Sequence, residues 1–156
     1  MQEKKLWRSD IFILSLNVVL PILLGGIIYI SWRKDSLYMF HWFKALGFNN
    51  VILFLRETFT PAKNYLPKFV LYSLPDAAWV YALTFFMIWL WKDEAKIKLI
   101  FWGSMGAIVG IGGEFCQVFG FVHGTFDFID LLLCSMAVVS VVTIIEILEK
   151  KNGEVC

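Results

Sequence analysis

Glu114 and Gln117 lie three residues apart inside an apolar run, and Asp127 and Asp130 stand at the start of the next one. Between the pairs is a short turn, residues 122–125, that carries His123. Charge in hydrocarbon is costly, so a mid-span carboxylate such as Glu114 is read as functional by default. On a helix, a spacing of three puts Glu114 and Gln117 on one face. So short a turn makes the two runs antiparallel neighbours, which places Glu114 or Gln117 opposite Asp130. Two carboxylates held together in low dielectric share a proton, bind a cation or await a basic group. A shared proton would suit acid–base chemistry. His123, Arg56 and Lys63 are the basic groups that the topology brings nearest.

Each of these residues also has a plain structural role. Asp127 suits the cap of the last helix, with Asp130 completing a capping box. Gln117 suits an interhelical hydrogen bond, and His123 a solvated turn. Asp76, further back, suits the first turn of its own helix, where the dipole favours an acid.

The elements that must hold these groups follow from composition. The chain has 156 residues, of which 59% are hydrophobic and 17% aromatic, with seven Trp. A soluble domain of this size cannot hide so much apolar surface, so lipid must cover part of it. The formal net charge of +1 indicates neither a nucleic-acid surface nor an acidic tail. We expect a single all-α membrane domain over residues 1–156, with four transmembrane helices at about 10–32, 75–91, 97–121 and 126–148. Residues 33–73 are too charged and too broken to span. They suit amphipathic helices that lie in the interface or are partly re-entrant.

Local signals fill in these spans. The first follows Lys4, Lys5 and Arg8, lacks a small-residue cleavage site, and reads as uncleaved. Pro21 and Gly25-Gly26 predict a kink or close packing within it. Ser73-Leu74-Pro75-Asp76 predicts a helix start with Ser73 as its cap. Gly103, Gly106, Gly110 and Gly113 recur along one face of the third span, where small residues let a neighbouring helix approach closely. Positive charge in the short loops and near the span ends puts both termini in the cytoplasm. Asp76 and Trp79, Glu114 and Gln117, and His123, Asp127 and Asp130 then gather at the outer side as one pocket, with Asp76 and Trp79 as its wall and the first loop as its lid.

No motif asks for a cofactor or a metal. There is no HExxH, P-loop or GxGxxG, and no Ser-His-Asp or Cys-His arrangement. Cys116, Cys134 and Cys156 form no CxxC. Cys116 and Cys134 read as small hydrophobes within apolar runs.

Glu114-x-x-Gln117, a short turn and Asp130 opening the final span resemble the VanZ-like family of small polytopic bacterial membrane proteins. The stretch Leu74-Pro75-Asp76-Ala77-Ala78-Trp79-Val80-Tyr81 and the turn Gly124-Thr125-Phe126-Asp127 are similar to that family as well. His123 stands nearest to the family's turn Arg, and Cys134 where an Asn is usual. The resemblance implies a protein of the bacterial cytoplasmic membrane. The family's name-giving members are linked to low-level resistance to lipid-bearing glycopeptide antibiotics.

These readings give three expected functions. The first is an outward-facing polar pocket that binds a lipid-linked or amphiphilic envelope molecule, or an envelope partner, among the membrane lipids. The second is a membrane subunit whose glycine stripe docks a protein partner or another copy in a homo-oligomer. The third is an intramembrane enzyme that uses the carboxylate pair on a lipid-linked substrate.

Overall fold

The structure, a computed structural model, describes residues 10–34, 38–122 and 124–153. Lys4, Lys5, Arg8, His123 and Cys156 lie outside the described residues, so the roles read for them in the sequence have no structural counterpart here. The chain is all-helical, with no strand among the described residues. Four helices are long and apolar enough to cross a membrane: Asp10–Trp32, Leu74–Trp91, Lys96–Val118 and Phe128–Leu148. By length and composition this is a multi-pass membrane protein.

Helix α1 (Asp10–Trp32) contains a π-helical turn at Ser15–Val19. Pro21 lacks an N–H, and its ring crowds the carbonyl four residues back. The wider turn just before it takes up that misfit, with the Leu20 N–H donating to the Ser15 carbonyl. Asn17 belongs to this turn, and its Oδ1 accepts a 2.7 Å hydrogen bond from the Tyr81 hydroxyl. The expected kink is thus a local widening that a neighbouring helix ties down.

The segment after α1 folds into α2 (Tyr38–Ala45), α3 (Asn49–Phe59), a 3-10 turn (Thr60–Asn64) and α4 (Lys68–Tyr72). Helix α3 turns back onto the end of α1. Arg56 Nη2 donates to the Arg33 carbonyl at 2.7 Å and Nε donates to the Ile30 carbonyl at 3.1 Å. Trp32 Nε1 donates to the Phe59 carbonyl at 3.0 Å. A cation on the last carbonyls of a helix satisfies orphan acceptors and complements the dipole. Arg56, one of the basic groups expected near Glu114, is therefore engaged at the end of α1.

Helix α5 (Leu74–Trp91) follows α4 with only Ser73 between them. Ser73 makes no side-chain cap; its backbone is helical and its carbonyl accepts from the Ala77 N–H at 3.1 Å. The Ser cap expected here is absent because the chain arrives from α4 already in helical geometry. Pro75 in the first turn tolerates this, since its missing N–H would be an orphan there.

Helices α6 (Lys96–Gly103) and α7 (Met105–Val118) form the third long apolar stretch, offset at Ser104. It ends at Val118 and not at the expected residue 121. Gly120 takes φ 72°, the Gly120 N–H donates to Gln117 O and the Phe121 N–H to Cys116 O. That pair of bonds around a left-handed glycine is a Schellman ending. Helix α8 (Phe128–Gly153) is the last described element.

Helix α5 is the hub, packed against α1, α6, α7 and α8. Ala77, Val80, Phe85, Cys134 and Val141 are buried between them. The glycine stripe faces this hub. A Cβ on Gly106 would overlap Thr84 Oγ1, one on Gly110 would lie 2.5 Å from Val80 Cγ2, and one on Gly103 2.8 Å from Ile88 Cγ1. Gly113 breaks the series, with open space where its Cβ would be. Large apolar side chains elsewhere, such as Phe12, Leu23, Val109, Phe115 and Val139, are exposed. In a membrane they have lipid as their solvent.

Candidate functional site

Glu114 is the one carboxylate among the buried residues described, 8% exposed on α7. Its Oε2 accepts the backbone N–H of Asp127 at 3.2 Å, and its Oε1 has a long 3.5 Å contact with Gln117 Nε2. Asp127 caps α8, its Oδ1 accepting the Ile129 N–H at 2.8 Å. A capping box would have Asp130 reach back to the Asp127 N–H. Glu114 takes that place from the neighbouring helix. The cap expected of Asp127 is present, but its second half is tertiary.

Asp130 is freed by this exchange. Its Oδ1 is buried and has no hydrogen-bond partner. Gln117 lies against the turn: a Cβ on Gly124 would meet Gln117 Oε1 at 2.8 Å, so any larger residue there would push the Gln117 amide aside.

Asp76, in the first turn of α5, faces Arg33 Nη2 at 3.6 Å. Arg33 follows α1 directly. Its guanidinium sits 5.2 Å from the Tyr29 ring centroid and 5.3 Å from that of Tyr72, with Nη2 donating to the Tyr72 carbonyl at 2.9 Å. Its Nε is buried and without a partner. Arg33 is thus a basic group beside the carboxylates.

Two cavities meet here. A polar vestibule of about 600 Å³ is lined by Arg33, Lys68 and Tyr72 on one part and by Asp127 and the 124–125 turn on another. An apolar crevice of about 260 Å³ runs between Val80 and Leu83 of α5, Val109, Gly110 and Gly113 of α7, and Cys134 of α8. Asp76, Glu114, Gln117 and Asp130 line both. The open space at Gly113 is part of the crevice.

Of the residues singled out in the sequence, Asp76, Glu114, Gln117, Asp127 and Asp130 converge on the vestibule. Trp79 lines only the crevice. It also packs 5.3 Å from Tyr29, with its indole N–H 3.4 Å from the Ile22 carbonyl. Lys63, the remaining basic candidate among the described residues, does not line either cavity; Arg33 and Lys68 do. Among the described residues, the first loop reaches the vestibule at its two ends, through Arg33 after α1 and through Lys68, Phe69, Tyr72 and Ser73 at α4, while α3 packs on α1.

Arg33 and Lys68 escaped the sequence reading because they belong to a loop whose return path is tertiary. Their one signal is position, just after the first apolar run and shortly before the second. Among the described residues, no three His, Cys, Asp or Glu side chains converge as a metal site would require. What the arrangement offers is a mouth with both signs of charge that opens onto an apolar slot.

Comparison of the chain with protein-family models, curated proteins and solved structures returns no match.

Proposed function

We propose that this protein binds one amphiphilic envelope molecule, with the polar head in the vestibule and an apolar tail in the crevice. The observation that carries this reading is the shared wall: Asp76, Glu114, Gln117 and Asp130 border a charged space on one side and an apolar one on the other. A vestibule of about 600 Å³ lies within the ~300–1,000 Å³ typical of small-molecule sites. Charged groups that remain at membrane depth mark substrate or ion paths more often than packing.

In this reading both termini lie in the cytoplasm and the vestibule opens at the outer side of a bacterial cytoplasmic membrane. The VanZ-like pattern of Glu114, Gln117 and Asp130 supports an envelope ligand of this kind. The glycine stripe supports internal assembly, because Gly103, Gly106 and Gly110 already receive α5.

The test is native mass spectrometry of the protein extracted from its own membrane. Wild type retains an amphiphile that Glu114→Gln loses while staying folded. A wild-type protein that carries none, or a variant that retains it equally, overturns the proposal.

A further inference from the structure

The chemistry of the vestibule selects among amphiphiles. Among its described lining residues are two cations, Arg33 and Lys68, and four carboxylates, Asp76, Glu114, Asp127 and Asp130. Three of the carboxylates have partners: Asp76 faces Arg33, Glu114 holds the Asp127 N–H, and Asp127 caps α8. Asp130 Oδ1 is buried and accepts nothing, and Arg33 Nε is buried and donates to nothing. A buried polar atom without a partner is costly, and more so when its group is charged. Asp130 and Arg33, which both line the cavity, thus each keep one unpartnered atom, and the formal excess of charge among the described lining side chains is negative. A purely anionic head would satisfy Arg33 but add to that excess.

We infer that the head group is zwitterionic, with a phosphate-class anion received by Arg33 and Lys68 and a primary ammonium that donates to Asp130. This rests on the vestibule being an amphiphile site. Arg33 matches an oxyanion through its fixed fork of N–H groups, and Lys68 adds a point charge. The ammonium must carry hydrogens, because Asp130 lacks a donor and not merely a counter-charge. That requirement separates an ethanolamine-type head from a choline-type head of the same charge. The apolar crevice beside the head separates a lipid from a free phosphate compound.

The experiment uses the full chain in bilayer discs that contain phosphatidylethanolamine, phosphatidylcholine and phosphatidylglycerol with matched acyl chains. Lipid retained on gentle release is read by native mass spectrometry. Wild type retains phosphatidylethanolamine about tenfold over each of the others, the scale of one charge-assisted hydrogen bond. Asp130→Asn abolishes the preference over phosphatidylcholine. Lys68→Gln, at an exposed position, lowers retention of all three lipids, and the wild-type preference itself keeps the test open if Asp130→Asn does not fold. Preferential retention of phosphatidylglycerol, no wild-type preference for phosphatidylethanolamine, or an ethanolamine preference unchanged in a folded Asp130→Asn variant overturns the zwitterion inference and leaves the amphiphile site standing. Soluble phosphoethanolamine that displaces the lipid at equal concentration overturns the lipid as its source. A wild-type protein that retains no lipid overturns both readings.

Discussion

The backbone N–H of Asp127 is held by Glu114 Oε2 at 3.2 Å, while the Asp127 side chain closes the first turn of α8. One residue thus starts a helix with its side chain and docks that helix to its neighbour with its backbone. The carboxylate that would have completed the cap locally, Asp130, is left facing the cavity. A structural bond and a candidate binding group therefore come from the same exchange.

Removing the acceptor should loosen the junction of α7 and α8. Glu114→Leu is expected to lower stability by about 1–3 kcal/mol, the cost of stranding a buried N–H that had a charged partner. Glu114→Gln retains a carbonyl acceptor and should cost less. Thermal unfolding in detergent, followed by near-ultraviolet circular dichroism, measures the difference. Equal losses in the two variants would mean that the Asp127 N–H is not held in this way.

Asp127→Ala removes the cap and should cost about 0.5–2 kcal/mol, whereas Asp127→Ser should recover most of that. The Glu114 bond goes to the backbone and survives both changes. Glu114→Leu with Asp127→Ala should deviate from additivity, because both act on one helix end. A double-mutant cycle on unfolding free energies checks this.

The glycines of α7 divide into two classes. Gly106→Ala places a methyl against Thr84 Oγ1 and the Val80 carbonyl, and should destabilise by about 1–3 kcal/mol. Gly112→Ala meets nothing within 4 Å and should be neutral, or stabilising by up to about 1 kcal/mol through helix propensity. Were the stripe a docking face for another chain, Gly106→Ala would instead change the detergent-solubilised mass and leave the unfolding temperature alone.

Arg56 joins α3 to the end of α1 by two hydrogen bonds. Arg56→Ala should cost about 1.5–3 kcal/mol, the range for bonds with a charged donor, and should hasten proteolysis within 38–64. Arg56→Lys presents a point charge in place of a fork and should restore only part of the protection. Limited proteolysis of the detergent-solubilised protein reads both.

Much of this architecture is legible in the sequence. The four apolar runs are there, and the structure places helices within a few residues of each. The apolar run at 97–121 extends three residues past the end of α7 at Val118 because Phe119 and Phe121 are apolar, although Gly120 between them marks the Schellman stop. Glu114, Gln117 and Asp130 stand out as polar groups in apolar surroundings, and they do meet. Their partners were less legible. Glu114 binds a backbone amide, which carries no side-chain signature, and Arg33 reaches Asp76 only because α4 and α5 return beside the end of α1. Such pairings depend on where the loop comes back, which periodicity does not encode.

The most direct test of the central claim is a cryo-electron microscopy map of the full chain in bilayer discs made from its own membrane lipids. The account predicts density for one amphiphile, its head between Arg33 and Asp130 and its tail running past Gly113 between α5 and α7. A vestibule holding only water, with the crevice closed by side chains, would contradict it.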